Sequence, residues 1–283
     1  MQRRPLRPTD LDPLVDLFAA YDIVEHGETE MDLATIRGIV ETEGTKSIVA
    51  EDSGRLVGLA CVAANGEVES AVDPRMAGAD QLHRELLGWI LTQARERGLG
   101  HLEHWAGTSS DGAAVLLTES GFSHVRSVWK MRRELTGALP EPVWPAGAQL
   151  VPFDDPHAVW ELIMRGFAGS FGSHHRPYEE WALTAVGEDR SAICVADGGE
   201  LIAVATTSPH GGDGYIGQLT VEPGHRGRGL ALALLHEAFR RDAAAGRPGT
   251  QLGVDGENDG ARRLYDKAGM AVIGEYRRWE RAV

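Results

Sequence analysis

The sequence has 283 residues, of which 42% are hydrophobic and 25% charged, enough for one large or two ordinary globular domains. The net charge is −14 without a basic stripe, which argues against nucleic-acid binding, and no apolar run approaches the roughly 18 residues that span a bilayer. The charged residues 1–8 lack the apolar stretch of a signal peptide. Cys61 and Cys194 lie in apolar runs, which favours buried thiols over a disulfide or metal site. We expect a cytoplasmic protein with no membrane partner.

The chain contains an internal repeat. Four segments of the first half recur in the second at offsets of 144, 146, 149 and 148 residues: 6–13 in 150–156, 49–58 in 195–203, 72–74 in 221–223, and 111–122 in 259–270. Their common order indicates two copies of one domain. The proline-rich stretch 139–147 between them is typical of a stiff linker. We predict domains over 1–137 and 149–283, joined by a linker over 138–148.

The second copy has the pattern of a mixed α/β domain. Its periodicity predicts the following elements in chain order: helices over 156–167 and 178–185, strands over 191–196, 201–208 and 215–221, a helix over 229–245, a strand over 250–255, a helix from Asn258, and a final strand over about 272–280.

A glycine-rich turn joins the predicted strand 215–221 to the predicted helix 229–245, and it contains Arg226, Gly227, Arg228 and Gly229. Such a turn exposes unpaired backbone N–H groups at a helix N-terminus, which suit phosphate. The glycines permit close approach of an anion, and the arginines add positive charge. No lysine follows, so a nucleotide P-loop does not fit, and the spacing is not the dinucleotide fingerprint. The turn predicts a ligand with a di- or polyphosphate.

A second motif begins 32 residues after Arg226, over residues 258–270. Asn258 is a good helix N-cap, and Gly269 is placed to end that helix. The first motif fits R-x-x-G-x-G/A through Ala231, and the second fits N-x-x-A-x-x-L-Y-x-x-x-G-[FM]. Together they resemble the two signatures of the GNAT superfamily, the acyl-CoA-dependent N-acyltransferases. The resemblance covers about residues 150–283.

The resemblance implies an α/β (α+β) fold of two tandem GNAT-like domains, each with a mixed, mostly antiparallel central sheet flanked by helices. It also implies acetyl-CoA as co-substrate and a sheet that parts beside the phosphate loop. Asn258 either touches the cofactor or only caps its helix. The predicted cofactor-binding residues are Leu219, Val221, Arg226, Gly227, Arg228, Gly229, Leu230, Ala231, Asn258 and Tyr265.

The first copy has lost these features. Residues 77–82 align with 226–231, so that Ala77 replaces Arg226 and Asp80 replaces Gly229. A carboxylate in a phosphate cradle repels the ligand. We expect the N-terminal copy to be structural, either covering a face of the active copy or walling the acceptor site. This layout of two copies, the first degenerate, is similar to that of mycothiol synthase, but Tyr215 stands where that enzyme has glutamate, so its substrate is not carried over.

Acyl transfer to an amine needs a base for the amine and an acid for the departing thiolate. By resemblance, Tyr265 is the predicted general acid; the alternative is a core tyrosine. The base is less defined, because Tyr215 and Gly253 occupy the two positions where relatives carry glutamate. The remaining candidates are Asp255, Glu257 and the pair His174 and His175, which lie where family members line the acceptor pocket. Gln218 faces either the cleft or the core.

We expect an N-acetyltransferase that acts on a primary amine of a small molecule by direct attack. Candidate acceptors are a metabolite, an aminoglycoside-like antibiotic or a peptide N-terminus. A non-catalytic acyl-CoA sensor or interaction module is the alternative. We expect no metal, because His101 and His104 point to opposite faces of a strand and no third ligand accompanies them. Two copies in one chain favour a monomer of 30.6 kDa as a pseudo-dimer, with a homodimer as the alternative.

Overall fold

A computed structural model describes residues 1–25, 27, 29, 31, 33–107, 112–169, 176–187 and 189–283. Within these residues the chain forms two compact units. The N-terminal unit comprises Met1–Val128 and Gly274–Val283, and the C-terminal unit comprises Trp129–Ile273. This division differs from the one drawn on the sequence, because the chain enters the C-terminal unit before the proline-rich stretch and returns to the N-terminal unit for its last ten residues.

The N-terminal unit has a sheet in the order β1-β2-β3-β4-β5-β12. Neighbouring strands from β1 to β4 are antiparallel, as are β5 and β12, whereas β4 and β5 are parallel. Its elements are β1 (Gln2–Pro5), α1 (Leu11–Glu25), α2 (Leu33–Glu41), β2 (Lys46–Asp52), β3 (Arg55–Val62), β4 (Glu67–Val72), α3 (Ala79–Glu96), β5 (His101–Gly107), α4 (Gly112–Glu119), the first half of β6 (Ser123–Glu134) and most of β12 (Ala271–Ala282).

Helices cover both faces of this sheet, as the alternating side chains of β4 show. Val68 and Val72 are buried against Leu86 of α3. Ala71, which points to the other face, is buried in a second cluster with Phe18 of α1 and Ile36 of α2. Successive side chains of a strand point to opposite faces, so both faces of β4 are buried.

The C-terminal unit has a sheet in the order β6-β11-β10-β9-β8-β7. Neighbouring strands from β7 to β10 are antiparallel, and β10 with β11 is parallel. Its further elements are β7 (Ala148–Val151), α5 (Pro156–Phe167), α6 (Tyr178–Ala185), β8 (Ser191–Asp197), β9 (Glu200–His210), β10 (Asp213–Val221), α7 (Leu230–Ala244), β11 (Gly249–Asp255) and α8 (Asp259–Lys267). The predicted fold class, a mostly antiparallel sheet flanked by helices, is confirmed, and α5 and α6 have the predicted bounds.

Two clusters sandwich this second sheet. Ile216 of β10 packs with Leu234 of α7 on one face. Val204 of β9 packs with Leu162 of α5 and Trp181 of α6 on the other. The sheet therefore fixes α7 and α5 on opposite sides of β10, which positions the ends of these helices around the candidate site.

The final strand differs from the prediction. The sequence placed the strand over about 272–280 at the end of the second copy, whereas Gly274–Val283 belongs to the N-terminal unit. There β12 runs antiparallel to β5, from Tyr276 opposite Gly107 to Ala282 opposite His101. Trp279 of this strand is buried in the core beneath α3 and α4. Strand periodicity predicts that a segment is a strand, but not which sheet it joins.

Gly166 lets α5 lie directly against β10. A Cβ atom at Gly166 would overlap Thr220 Oγ1 and lie 2.9 Å from Thr220 Cβ. We therefore expect Gly166→Ala to destabilise the protein by about 1–3 kcal/mol through overpacking, although alanine is the better helix former. Gly88→Ala is the matched control, because Gly88 lies exposed in α3 with nothing within 4 Å of its added Cβ. It should stabilise by about 0.5–1 kcal/mol. Denaturant unfolding of both variants measures this, and equal effects would contradict the account.

Candidate active site

The sheet of the C-terminal unit opens between β10 and β11. Their parallel register holds from Gly214 opposite Thr250 to Ile216 opposite Leu252. On its other edge β10 stays paired with β9 as far as Val221 opposite Ala203. The two parallel strands therefore part after Ile216, beside the turn that leads into α7, as the family resemblance implied.

A β-bulge lies at the start of this opening. The register between β10 and β9 shifts between Ile216 and Gln218, and the Gln218 N–H donates to Thr206 Oγ1 at 2.9 Å. A bulge inserts one residue and reverses the alternation that follows. Gln218 consequently points towards α6, where its Oε1 accepts from Trp181 Nε1 at 2.8 Å. The bulge thus decides which way the Gln218 side chain points, which strand alternation in the sequence did not.

The backbone of β10 turns the groups that do not pair with β9 towards the opening. The Glu222 N–H donates to Ile202 O at 2.8 Å, so this pair is hydrogen-bonded. Hydrogen-bonded and non-hydrogen-bonded pairs alternate along an antiparallel ladder. The backbone groups of Leu219 and Val221 therefore point away from β9 and towards the gap beside β11. Both residues are among the predicted cofactor-binding residues.

The predicted phosphate loop adopts the geometry of an anion cradle. A short 3-10 turn, Pro223–His225, leads to Gly227 and Gly229, whose φ angles are 75° and 91°. Gly229 is the N-cap of α7, and no side chain caps the helix. The first N–H groups of a helix have no partner within it, so those of Leu230 and Ala231 face the cradle side. Nothing lies within 4 Å of a Cβ atom added at either glycine.

The two arginines of the loop hold its conformation through contacts with neighbouring elements. Arg226 donates from Nε to Val221 O at 3.1 Å and from Nη2 to Gly166 O at 3.2 Å. Arg228 contacts Asp197 Oδ2 at 3.3 Å and donates to Ala146 O at 3.0 Å. Their guanidinium groups are engaged with β10, α5 and the β8–β9 turn. Anion binding by the loop therefore depends first on its backbone N–H groups.

The second motif forms α8, which borders the site beyond β11. Asn258 caps this helix, since its Oδ1 accepts from the Ala261 N–H at 3.0 Å. Tyr265 is 9% exposed and packs in the same cluster as Ile216 and Leu234. Burial raises the pKa of Tyr265 to about 12, and the nearby Tyr215 adds to the rise. The Tyr265 hydroxyl therefore stays protonated at neutral pH and is able to donate a proton.

A polar cavity of about 340 Å³ lies on the α6 side of the bulge. Two arginines, three hydroxyl side chains and an amide are among the residues that line it: Arg176, Arg190, Thr206, Thr207, Ser208 and Gln218. Tyr215 also lines it and is close enough to Tyr265 to affect its pKa. We call this cavity the C-terminal pocket. Its place beside the parted strands suits an acceptor molecule.

The comparisons with known proteins agree with this geometry. A model of the acetyltransferase (GNAT) family matches residues 157–270. The chain is also 31% identical over 249 residues to a mycothiol acetyltransferase of Paenarthrobacter aurescens (strain TC1), which covers 81% of this chain and 74% of that protein. The chain belongs to the GNAT acetyltransferase family.

Solved structures extend the likeness to both units. A GCN5-related N-acetyltransferase from Sphaerobacter thermophilus is similar with a TM-score of 0.80 and 26% identity, over 99% of this chain and 95% of that one. A tandem GNAT protein from the clavulanic acid biosynthesis pathway has a TM-score of 0.75 at 18% identity, over 99% and 98% of the two chains. The predicted family and its tandem layout are confirmed. The protein is thus an acyltransferase of the GNAT type, and the alternative of a non-catalytic sensor loses its support.

Two of the base candidates of this GNAT protein, Asp255 and Glu257, lie among the described residues. Asp255 ends β11 and uses its Oδ1 to accept from the Glu257 N–H at 3.1 Å, which shapes the turn before α8. Glu257 is exposed. His174 and His175 lie outside the described residues. Arg176 lies in the segment around His174 and His175 that the resemblance placed at the acceptor pocket. Sequence reasoning overlooked Arg190, Thr206, Thr207 and Ser208, which line the same cavity and carry no motif.

The N-terminal unit of this GNAT chain corrects one detail of the repeat alignment. Gly78, with φ 80°, is the N-cap of α3, as Gly229 is of α7. Asp80 therefore corresponds in position to Ala231 and lies in the first turn of its helix, instead of replacing Gly229. The alignment was wrong by two residues because short glycine-rich segments match in more than one register. In the corrected register Arg75, and not Ala77, stands opposite Arg226, while Ala77 stands opposite Arg228. The carboxylate still stands beside the N–H groups that would hold a phosphate.

The N-terminal unit also brings together three potential metal ligands, whereas the sequence predicted no third ligand beside the two histidines. His101, Glu103 and Glu280 offer ligand atoms within 4.8 Å of one another, so β12 supplies the third ligand that the sequence lacked. Arg278 Nη2 lies 2.7 Å from a carboxylate oxygen of both glutamates and already balances their charge. We assign no metal to this group. His104 is buried on the other face, as predicted.

Two smaller expectations concern the rest of the chain. Both cysteines are buried free thiols, and burial raises the pKa of Cys194 to about 11. Among the described helices, none combines the length and the apolar character that crossing a membrane would require.

Proposed function

We propose that the C-terminal unit transfers an acetyl group from acetyl-CoA to a primary amine of a small hydroxylated molecule, by direct attack of the amine. The single observation that carries this proposal is the parting of β10 and β11 beside an uncapped, glycine-lined helix N-terminus. An extended thioester arm fits such a gap between strands, and a pyrophosphate fits the helix end.

The predicted cofactor residues have distinct tasks in this proposal. The N–H groups of Gly227 to Ala231 bind the pyrophosphate, and the α7 dipole favours its charge. The backbone of Leu219 and the N–H of Val221 pair with the pantetheine arm as a missing strand would, since the Val221 carbonyl already accepts from Arg226. Arg226 and Arg228 keep the loop in shape through the contacts described above. Asn258 holds α8, and thereby Tyr265, in place.

The chemistry requires a proton donor for the departing thiolate. Tyr265 is the proposed general acid, because its hydroxyl is protonated at neutral pH and sits on the helix that flanks the gap. A thiol has a pKa of about 8.5, well below the pKa of about 12 of Tyr265. The phenol therefore first stabilises the departing thiolate by donating a hydrogen bond, and the pKa of Tyr265 must fall in the bound complex for the proton to pass to sulfur. A backbone N–H on the parted strand is the proposed donor to the developing oxyanion.

The amine must lose a proton before it attacks. His174, His175 and Asp255 remain the proposed base candidates, with a water chain as the alternative. Asp255 holds a turn through its side chain, which makes it the weaker of these. A histidine in this role would give a rise in activity with pH near neutrality.

The C-terminal pocket is the proposed acceptor site. Its hydroxyl and amide side chains suit a ligand rich in hydroxyl groups, and its volume of about 340 Å³ suits a small molecule. The similarity to a mycothiol acetyltransferase, an enzyme named for a small molecule, supports the same acceptor class.

An acceptor screen tests the proposal. Purified protein is incubated with acetyl-CoA and separate pools of aminosugars, aminoglycosides, amino acids and peptides, and products are identified by mass spectrometry. We expect a single acetyl group on a primary amine of a small molecule. Ser208→Phe, which fills the pocket, should raise KM for that amine at least tenfold without changing KM for acetyl-CoA. Ser208→Ala, which removes one hydroxyl group and leaves the pocket open, should raise KM for the amine far less. Acetylation of peptides alone, or equal kinetics for the two variants, would contradict the acceptor assignment.

A further inference from the structure

A second cavity in the N-terminal unit is not used by the proposed reaction. It has a volume of about 300 Å³ and lies between α2 and strands β3 to β5. A smaller cavity of about 100 Å³ adjoins it, and both are lined by Glu69 and Trp105. We call the larger cavity the Glu69 pocket.

The Glu69 pocket corresponds to the C-terminal pocket through the internal repeat. Glu69 stands three residues before Val72, the last residue of β4, and Gln218 stands three residues before Val221, the last residue of β10. Each lines a cavity on the sheet face covered by the second helix of its unit, α2 or α6. The N-terminal unit therefore retains the acceptor-side cavity, but with a carboxyl group in place of an amide.

Among the described residues, no cationic side chain acts on the Glu69 carboxyl group. Its Oε1 accepts from the Ser70 N–H at 3.1 Å, and the neighbouring charge is another carboxylate, Asp22. Burial, with Asp22 adding to it, raises the pKa of Glu69 to about 8. Glu103 at the rim differs, since Arg278 lies 2.7 Å from it. A buried carboxyl group without a counter-charge is costly to stability and is typical of a ligand site.

Other groups in the pocket suit a hydroxylated cation. The Thr45 Oγ1 is buried without a hydrogen-bond partner among the described residues, and Thr35 and Thr42 also line the cavity. Trp105 is 39% exposed, and its indole N–H is held by Glu103 Oε1 at 2.9 Å, which fixes the ring. Glu69, whose raised pKa keeps it mostly protonated at neutral pH, ionises when an ammonium group binds beside it. A carboxylate beside an indole ring is then a favourable environment for that ammonium group.

We propose that the Glu69 pocket binds a small protonated amine that carries hydroxyl groups. The ammonium group pairs with Glu69 and packs on Trp105, and a hydroxyl group satisfies Thr45. This site is for binding and not for acetyl transfer, because Asp80 occupies the first turn of α3, where a phosphate would be held. The inference concerns the N-terminal unit and does not depend on the proposed function of the C-terminal unit.

Calorimetric titration of the full chain tests this proposal, with glucosamine and ethanolamine as probes and glucose as the uncharged control. All titrations use the Ser208→Phe background, so that the C-terminal pocket is filled. We expect one site for at least one of the two amines and none for glucose. Glu69→Gln should weaken this binding at least tenfold, and Trp105→Leu should weaken it severalfold. Absence of amine binding, or binding that Glu69→Gln leaves unchanged, would overturn the proposal.

Thermal unfolding separates a binding role from a structural one. Glu69→Gln removes an unpaired carboxyl group from a buried place while keeping its shape, so the variant without ligand should melt at the same or a higher temperature than the parent. Glucosamine should raise the melting temperature of the parent but not that of Glu69→Gln. A lower melting temperature of ligand-free Glu69→Gln would mean that Glu69 holds the fold together, and would overturn the assignment.

Discussion

Ala231→Asp should abolish acetyl-CoA binding without unfolding the protein. Ala231 lies in the first turn of α7, directly after Leu230 and the N-cap Gly229. A carboxylate there faces the N–H groups that are proposed to hold the pyrophosphate. At a separation of about 5 Å and an effective dielectric constant of about 20, repulsion between two unit charges costs about 3 kcal/mol. We therefore expect the affinity for acetyl-CoA to fall by about 100-fold or more.

The same substitution should leave the protein folded, which makes the result easy to interpret. A negative charge in the first turn of a helix is favourable by about 0.3–1 kcal/mol, which offsets part of the cost of a larger polar side chain at a position packed against the core. The melting temperature of Ala231→Asp should therefore fall no more than that of Ala231→Asn. Ala231→Asn is the matched control, since it has nearly the same shape without the charge and should lose far less affinity. Asp80→Ala in the N-terminal unit should leave turnover and the affinity of the C-terminal site for acetyl-CoA unchanged. Retained affinity in Ala231→Asp would place the cofactor elsewhere.

Tyr265→Phe should lower kcat by about 100-fold or more while changing the affinity for acetyl-CoA little. The substitution removes only the hydroxyl group, and the ring keeps its place in the core with Ile216 and Leu234. A proton donor acts as the thiolate departs, so its loss appears in the chemical step and not in binding. Steady-state kinetics combined with titration of acetyl-CoA distinguishes the two effects.

Tyr215→Phe is the control for this second experiment. Tyr215 contributes to the raised pKa of Tyr265, so its removal perturbs the same surroundings without deleting the proposed acid. Its effect on kcat should be much smaller than that of Tyr265→Phe. Unchanged kcat in Tyr265→Phe, or equal losses in the two variants, would remove Tyr265 as the specific general acid and leave it as a core residue.

Much of the fold followed from local sequence patterns. The bounds of α5 and α6 were predicted as observed, because Asp155 and Pro156 mark a helix start and the apolar spacing marks its length. The phosphate loop was recognisable because its glycines need positive φ. Features that depend on which strands pair were not predictable. The partner of β12 and the bulge at Gly217 are set by tertiary packing, which leaves no local signal.

The candidate site was likewise predictable where a local motif marks it and not where residues distant in sequence come together. Tyr265, Asn258 and the loop were found through two motifs of fixed spacing. The charge of Arg226 and Arg228 was assigned to the ligand, whereas their guanidinium groups contact backbone carbonyls and Asp197. The C-terminal pocket draws on β9, β10 and the segment around α6, which are distant in sequence. Glu69 had no motif to mark it, and only its cavity and its missing counter-charge single it out.

The central claim is that one of the two units, the C-terminal one, binds acetyl-CoA for transfer. Calorimetric titration of acetyl-CoA into the unmodified chain tests it most directly, because the stoichiometry gives the number of acetyl-CoA sites per chain. The account predicts one site per chain, which disappears in Ala231→Asp and persists in Asp80→Ala. Two sites per chain, a site that survives Ala231→Asp, or no binding at all would contradict it.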